Sequence, residues 1–121
     1  MQKFPSHWDL KTKIEFLQRK VILNSIAYYI YDTNFLSDKL YDDISRQLVQ
    51  LCNEYGDIRD TQYGYAMEDF DGTTGFDLYY RLCDEDREYL EHMVKHQIRF
   101  AGREGGDKKS VNTRRKRKSN R

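Results

Sequence analysis

Residues 28–42, YYIYDTNFLSDKLYD, set the architecture of this chain. The triplet Asp-Thr-Asn at 32–34 is typical of a turn, and the serine at 37 can cap a helix that follows it. The stretch therefore predicts a bend between two helices. Aromatic and acidic side chains flank the bend, namely Tyr28, Tyr29, Asp38, Tyr41 and Asp42. At this spacing, aromatic faces and two carboxylates can converge on a flat cationic ring.

The residues before the bend predict the first helix. Its apolar positions recur at helical spacing and continue towards Ile26. They are Leu10, Ile14, Leu17 and Val21. Ser6, with Asp9 three residues later, is the predicted N-cap. Residues 26–31 are rich in β-branched and aromatic side chains, so we expect these side chains to be largely covered.

Two further helices are predicted after the bend. The second is capped by Ser37, carries Asp38 in its first turn and ends near Gly56. Its apolar stripe is Leu40, Ile44, Leu48 and Leu51. The third begins at the acidic run 84–86 and ends at Gly102. Its expected buried face is Leu90, Met93, Val94 and Ile98.

Residues 56–80 predict a long loop between the second and third helices. Four glycines interrupt it and six Tyr and Phe residues lie within it. We expect a short hairpin around Asp71-Gly72, and the aromatic residues can fold over a site as a lid. Long loops in small domains are usually functional or mobile. The chain is thus expected to be mostly α-helical, with a helical domain at 1–101 and a disordered basic tail at 102–121.

Composition restricts the class of protein. A chain of 121 residues, 34% of them charged, has room for one modest domain. Cys52 and Cys83 make no disulfide framework, which favours a reducing compartment. There is no apolar run of membrane-spanning length and no signal-peptide pattern at the N-terminus. We therefore expect a cytoplasmic protein with no membrane association.

Charge is distributed unevenly along the chain. Residues 103–121 hold nine Lys and Arg against two acids, whereas residues 1–102 hold 12 basic against 18 acidic residues. The tail is either a solvated extension or a non-specific, salt-sensitive contact to nucleic acid phosphates. The residues for that contact are Arg114, Arg115, Lys116, Arg117 and Lys118.

The motif around the bend resembles the N-terminal Ia domain of bacterial NAD⁺-dependent DNA ligases, over about residues 14–55. That family's pattern is approximately Y-[YH]-x-x-D-x-P-x-[IL]-[SP]-D-x-x-Y-D, followed by R-x-L-x-x-L. The matching positions are Tyr28, Tyr29, Asp32, Leu36, Ser37, Asp38, Tyr41 and Asp42, continued by Arg46, Leu48 and Leu51. The resemblance implies a small helical module that captures the nicotinamide mononucleotide (NMN) half of NAD⁺.

The same resemblance implies roles for the matched residues. Tyr28 and Tyr41 would stack on the nicotinamide ring, and Tyr29 would lie near the nucleotide. Asp38 and Asp42 would accept hydrogen bonds from the ligand and offset its positive charge. Two positions depart from the pattern. One is Asn24, where the family usually has His and which is an additional ligand-binding candidate; the other is Asn34, where the family has Pro.

The adenylation chemistry of a ligase has no counterpart in this sequence. A ligase needs the nucleophilic lysine of K-x-D-G, and the nearest segment here is Asp69-Phe70-Asp71-Gly72, which has Asp in its place. The chain is therefore not expected to ligate DNA alone, and no catalytic residue is assigned. His92 and His96 lie four residues apart, but their spacing matches no zinc pattern, and no metal site is predicted.

Three functions follow as hypotheses. The first is a non-catalytic module that binds NAD⁺, NMN or a related metabolite. The second is a ligase-related accessory protein of DNA replication or repair, phage-encoded in one version, which attaches to DNA through its tail. The third is an enzyme, either the partner subunit of a split NAD⁺-dependent ligase or a small NAD⁺-cleaving activity.

Overall fold

A computed structural model describes residues 2–73 and 75–105 of the chain, and it is mostly α-helical. The α-helices are α1 (Leu10–Tyr31), α2 (Asp38–Tyr55), α3 (Leu78–Arg81) and α4 (Asp84–Gly105), with 3-10 turns at Ile58–Asp60 and Gly64–Ala66. The predicted small helical domain is confirmed. No strand occurs in the described ranges, so the hairpin expected at Asp71-Gly72 was wrong. There the Asp71 carboxylate instead accepts a hydrogen bond from the backbone N–H of Thr73, at 3.0 Å.

The first helix begins later than its predicted cap. Asp9, rather than Ser6, is the N-cap, and its carboxylate accepts a hydrogen bond from the backbone N–H of Thr12 at 2.9 Å. The hydrogen bonds from Thr12 lower the pKa of Asp9. The residues before Asp9 form a turn, closed by a bond from the Trp8 N–H to the Pro5 carbonyl. Because of this turn, Asp9 and not Ser6 lies next to the first N–H groups of the helix.

Helix α1 is the central element and packs against α2, α3 and α4. Its residues Ile14, Leu17, Val21, Ile22 and Ile26 are fully buried. The helix ends as predicted: Asp32 adopts a left-handed conformation with φ of 52°. The expectation that residues 26–31 are covered holds only in part.

Helix α2 follows the predicted signals closely. The Ser37 hydroxyl accepts a hydrogen bond from the Leu40 N–H at 3.1 Å, and Gly56, with φ of 98°, ends the helix. Ile44 and Leu48 are buried in the core, whereas Leu40, at the start of the predicted stripe, is 40% exposed. The two middle positions of the stripe therefore anchor α2 to α1.

The segment after α2 packs on α1 through its own backbone and one buried aromatic ring. Tyr63 is fully buried, and Gly64 lies so close to Ile58 that an added Cβ would overlap the Ile58 carbonyl oxygen. The loop is therefore a compact wall of the core with two helical turns, and Leu78 begins a further short helix at its end.

The last helix begins at Asp84 as predicted and buries Leu90 and Val94. It extends through Gly105, beyond the predicted end at Gly102, so the first residues assigned to the tail belong to α4. Glu91 ties α4 to the rest of the fold, because it accepts hydrogen bonds from the hydroxyls of Tyr31 and Tyr79. Residues 106–121, which hold most of the predicted basic tail, lie outside the described residues.

Candidate functional site

A cavity of about 450 Å³ lies where the end of α1, the first half of α2 and the 72–73 segment meet. Its lining residues come from these three parts and, through Asn34, from the bend between the two helices. They are Asn24, Ser25, Tyr28, Tyr29, Asn34, Asp38, Tyr41, Asp42, Arg46, Gly72 and Thr73. All five side chains that the sequence singled out therefore line one cavity.

The bend between the helices brings these side chains together. Asn24, only 6% exposed, accepts hydrogen bonds with its Oδ1 from the backbone N–H groups of Phe35 and Leu36, both at 3.1 Å. These bonds fix the bend against α1 and orient the start of α2. Asn24 also lines the cavity, but its amide oxygen is used by the backbone, so its Nδ2 group is the part that can donate to a ligand.

Tyr28 and Tyr29 occupy the last turn of α1 and are 47% and 46% exposed. The expectation that these two side chains are covered was therefore wrong, because they face the cavity rather than the core. Their ring centroids are 4.8 Å apart and the planes are nearly perpendicular, at 87°. A flat ligand stacked on one of these rings would therefore meet the edge of the other.

Tyr41 forms the inner wall of the cavity. Its hydroxyl lies 3.4 Å from Ser25 Oγ, and burial raises its pKa, so the phenol is neutral at ordinary pH. Gly75 packs against the same pair: an added Cβ would clash with Ser25 Oγ and lie 2.9 Å from the Tyr41 hydroxyl. Since the hydroxyl is enclosed, Tyr41 can offer its ring to a ligand but has little freedom to reorient.

Asp38 and Asp42 lie one helical turn apart on the same face of α2. Within the described ranges, neither carboxylate forms a salt bridge. The neighbouring Asp43 contrasts with them, since it pairs with Lys39 at 3.4 Å and Arg46 at 3.0 Å. Among the described residues the cavity therefore holds two carboxylates without salt-bridge partners, which favours a negative potential at that end.

Arg46 also lines the cavity, although the sequence analysis placed it only in the helix motif and not among the ligand-binding residues. It follows Asp42 by four residues, so helical periodicity alone places it on the same face as the two carboxylates. This spacing is the feature of the sequence from which the position of Arg46 could have been predicted. The contribution of Gly72 and Thr73 could not be read in this way, because it depends on how the loop packs back onto α2.

The aromatic lid expected from the sequence was wrong for the described residues, because none of the loop's six Tyr and Phe rings lines the cavity. Phe76 lies 6.2 Å from the Tyr29 ring, centroid to centroid. Tyr63 is buried in the core, and the Tyr65 hydroxyl donates to Asp86, on α4. From the described part of the loop, the cavity thus receives Gly72 and Thr73 and no aromatic ring, while Phe76 contacts Tyr29 from outside the lining.

Comparisons of the chain with family models, with curated proteins and with solved structures found no match. The resemblance to the ligase domain therefore depends on the motif quoted above. In the described ranges there is no group of three or more His, Cys, Asp and Glu that could hold a metal ion. No helix in the same ranges is long and apolar enough to cross a bilayer. The predicted nucleic-acid contacts, Arg114 to Lys118, lie outside the described part.

Proposed function

We propose that this protein is a non-catalytic binding module that recognises the nicotinamide nucleotide part of NAD⁺ or NMN. The observation that supports it is the shared cavity of Tyr28, Tyr29, Asp38, Tyr41 and Asp42. A packing requirement alone does not explain why two tyrosine rings stay half exposed beside two carboxylates that form no salt bridge with any described residue.

The volume of the cavity suits a small ligand. Small-molecule sites usually measure about 300–1,000 Å³, and this one measures about 450 Å³. A mononucleotide is of the right size class, whereas the adenylate half of a bound NAD⁺ would extend outside. NMN is therefore the simplest ligand with which to probe the site.

The chemistry of the lining favours the oxidised ligand. A cation over an aromatic face gains about 0.5–2 kcal/mol, and each nearby carboxylate adds Coulomb attraction that grows as water is excluded. The reduced dihydropyridine ring is neutral, so it gains neither the cation–π interaction nor the Coulomb attraction. The site should therefore bind NMN and NAD⁺ more tightly than NADH.

Binding without catalysis agrees with the side chains present. The chain lacks the K-x-D-G lysine, so it has no nucleophile for adenylate transfer. Asp38 and Asp42 are equivalent in lacking salt bridges within the described ranges, and no contact singles out one of them as an acid or base.

Isothermal titration calorimetry of the whole chain with NMN, NAD⁺ and NADH tests the proposal. We expect NMN and NAD⁺ to bind and NADH to bind at least about tenfold more weakly, from the lost cation–π and Coulomb attraction. Absence of heat with millimolar NMN would contradict the proposal, and so would equal affinity for NAD⁺ and NADH.

Asp38→Asn, with Asp84→Asn as its control, tests the contribution of the carboxylates. Asp38 and Asp84 are each the first residue of a helix, so both variants lose a first-turn acid, but Asp84 is not a lining residue. We expect Asp38→Asn to weaken NMN binding and Asp84→Asn to leave it unchanged. Equal losses in both variants would indicate an effect on helix stability instead.

A further inference from the structure

The charges that line the cavity are ordered along α2. Asp38, Asp42 and Arg46 follow one another at intervals of four residues on one helix face. Four residues rise about 6 Å along the axis, so Arg46 lies about 12 Å from Asp38. The cavity thus has carboxylates near the bend and a guanidinium at its far end. A ligand that matches both ends is positive at one end and negative at the other.

Arg46 is available for such a contact. Its side chain is 67% exposed, and one of its nitrogens, Nη2, donates to Asp43 at 3.0 Å. A guanidinium has five N–H donors, and within the described residues Arg46 uses one of them, so the others can bind an anion. Asp43 also pairs with Lys39, which means that it keeps a counter-ion when Arg46 turns towards a ligand.

The other polar groups at that end of the cavity do not replace Arg46. The Thr73 hydroxyl donates its proton to Asp71 Oδ1 and can only accept a further bond. The Tyr41 hydroxyl is held against Ser25 and Gly75. Among the described lining residues, Arg46 is the one with a positive charge.

We propose that Arg46 binds the phosphate of the ligand, so that the site selects a nucleotide over the corresponding nucleoside. This inference rests on the proposed function and deepens it, because it assigns the anionic part of the ligand to a residue. The planar guanidinium fork suits a phosphate, which it can bind through two parallel hydrogen bonds.

Titrations with NMN and with nicotinamide riboside, which lacks the phosphate, test the inference. For the wild type we expect NMN to bind at least about tenfold more tightly than the riboside, as a charge-assisted contact predicts. In Arg46→Gln, NMN affinity should fall to the level of the riboside, and riboside affinity should not change. Higher ionic strength should weaken NMN binding in the wild type more than in Arg46→Gln.

Lys39→Gln is the matched control. Lys39 lies on the same helix and pairs with the same Asp43, yet its side chain is 86% exposed and does not line the cavity. The Lys39→Gln substitution removes one positive charge, as Arg46→Gln does. Unchanged NMN affinity in Lys39→Gln would therefore support a direct contact between Arg46 and the phosphate. Circular dichroism checks that both variants fold. Arg46→Lys, which keeps the charge without the fork, should retain part of the preference for NMN.

The outcomes separate this inference from the proposed function. Equal affinity of the wild type for NMN and the riboside overturns the role of Arg46 and leaves nicotinamide recognition standing. Equal losses in Arg46→Gln and Lys39→Gln also overturn it, since net charge would then be the cause. If neither ligand binds the wild type, both the inference and the proposed function are contradicted.

Discussion

Helix α1 carries polar groups at two places, and the two differ in how those groups are paired. Near its middle, Gln18 is fully buried, with its Nε2 donating to Thr61 Oγ1 at 2.8 Å and its Oε1 accepting from the Tyr63 N–H at 3.2 Å. Near its end, the cavity holds half-exposed tyrosines and carboxylates without salt bridges in the described ranges. Both places join α1 to a later segment. The Gln18 amide is paired through both of its polar atoms, whereas Asp38 and Asp42 have no ion pair within the described ranges.

This difference separates packing from binding. A buried polar group without a partner costs free energy, so a segment that serves only to stabilise the fold pairs its polar groups internally. The Gln18 region does so. In the cavity, the carboxylates of Asp38 and Asp42 form no salt bridge within the described ranges, so a cationic ligand can pair with them. Substitutions in the Gln18 region should therefore change stability, and substitutions in the cavity should change ligand affinity.

The largest expected effect is that of Gly64→Ala. The added methyl would overlap the Ile58 carbonyl oxygen and lie 2.7 Å from the Ile58 carbonyl carbon, so the 3-10 turns would have to separate. We expect a loss of about 3 kcal/mol or more in the free energy of unfolding, measured with urea.

Gly56→Ala is the control for this variant. Gly56 has φ of 98°, but an added Cβ there meets nothing within 4 Å. It should cost about 1–2 kcal/mol from backbone strain alone. A Gly64→Ala protein no less stable than Gly56→Ala would show that the packed segment yields easily, which contradicts the account of this region.

Gln18→Leu should have the next largest effect. The change keeps the size of the side chain but leaves the buried Tyr63 N–H without its acceptor and Thr61 without its donor. We expect the free energy of unfolding to fall by about 1–3 kcal/mol. Gln50→Leu, at an exposed position of α2, makes the same chemical change and should stay within about 0.5 kcal/mol of wild type. Equal losses in the two variants would refute the importance of the buried bonds.

Asp42→Asn should show the opposite pattern. Since Asp42 forms no salt bridge in the described ranges, we expect its loss to change the free energy of unfolding by less than about 0.5 kcal/mol. NMN affinity should fall roughly tenfold, because one carboxylate near the cationic ring is neutralised. Calorimetry and urea unfolding of the same samples check both parts. If Asp42→Asn lowers the free energy of unfolding but leaves NMN affinity unchanged, Asp42 stabilises the fold and does not bind the ligand.

The smallest effect is a dependence of stability on alkaline pH. Burial raises the pKa of Cys52 from 9.0 to about 11, so the folded state favours the neutral thiol. A raised pKa contributes stability that is fully present below pH 9.0 and is lost as the pH rises towards about 11. The slope of stability against pH in this window should be shallower in Cys52→Ala than in wild type. Identical slopes would show that the thiol does not contribute.

Local signals in the sequence predicted much of the fold and of the site. The Ser37 cap, the turn at Asp32 and the helix end at Gly56 each depend on neighbouring residues and were confirmed. The convergence of the tyrosines and acids on one cavity follows from the same bend, because a fixed turn between two helices determines which faces meet.

What the sequence did not reveal depends on contacts between distant residues. The hydrogen bonds from the backbone of Phe35 and Leu36 to the Asn24 amide oxygen are one example. The exposure of Tyr28 and Tyr29 also depends on the shape of the whole site, since their composition alone favours burial. Such contacts follow from the packing of the loop and helices and have no signature in local residue order.

A titration of ¹⁵N-labelled protein with NMN, followed by NMR, tests most directly the claim that the five side chains enclose a cationic ring. The account predicts that amide shifts appear around residues 24–46 and 72–76 and that they saturate. It also predicts that the reduced form of NMN gives much smaller shifts at the same concentration. Shifts confined to other parts of the chain, or no shifts at millimolar NMN, would contradict the account.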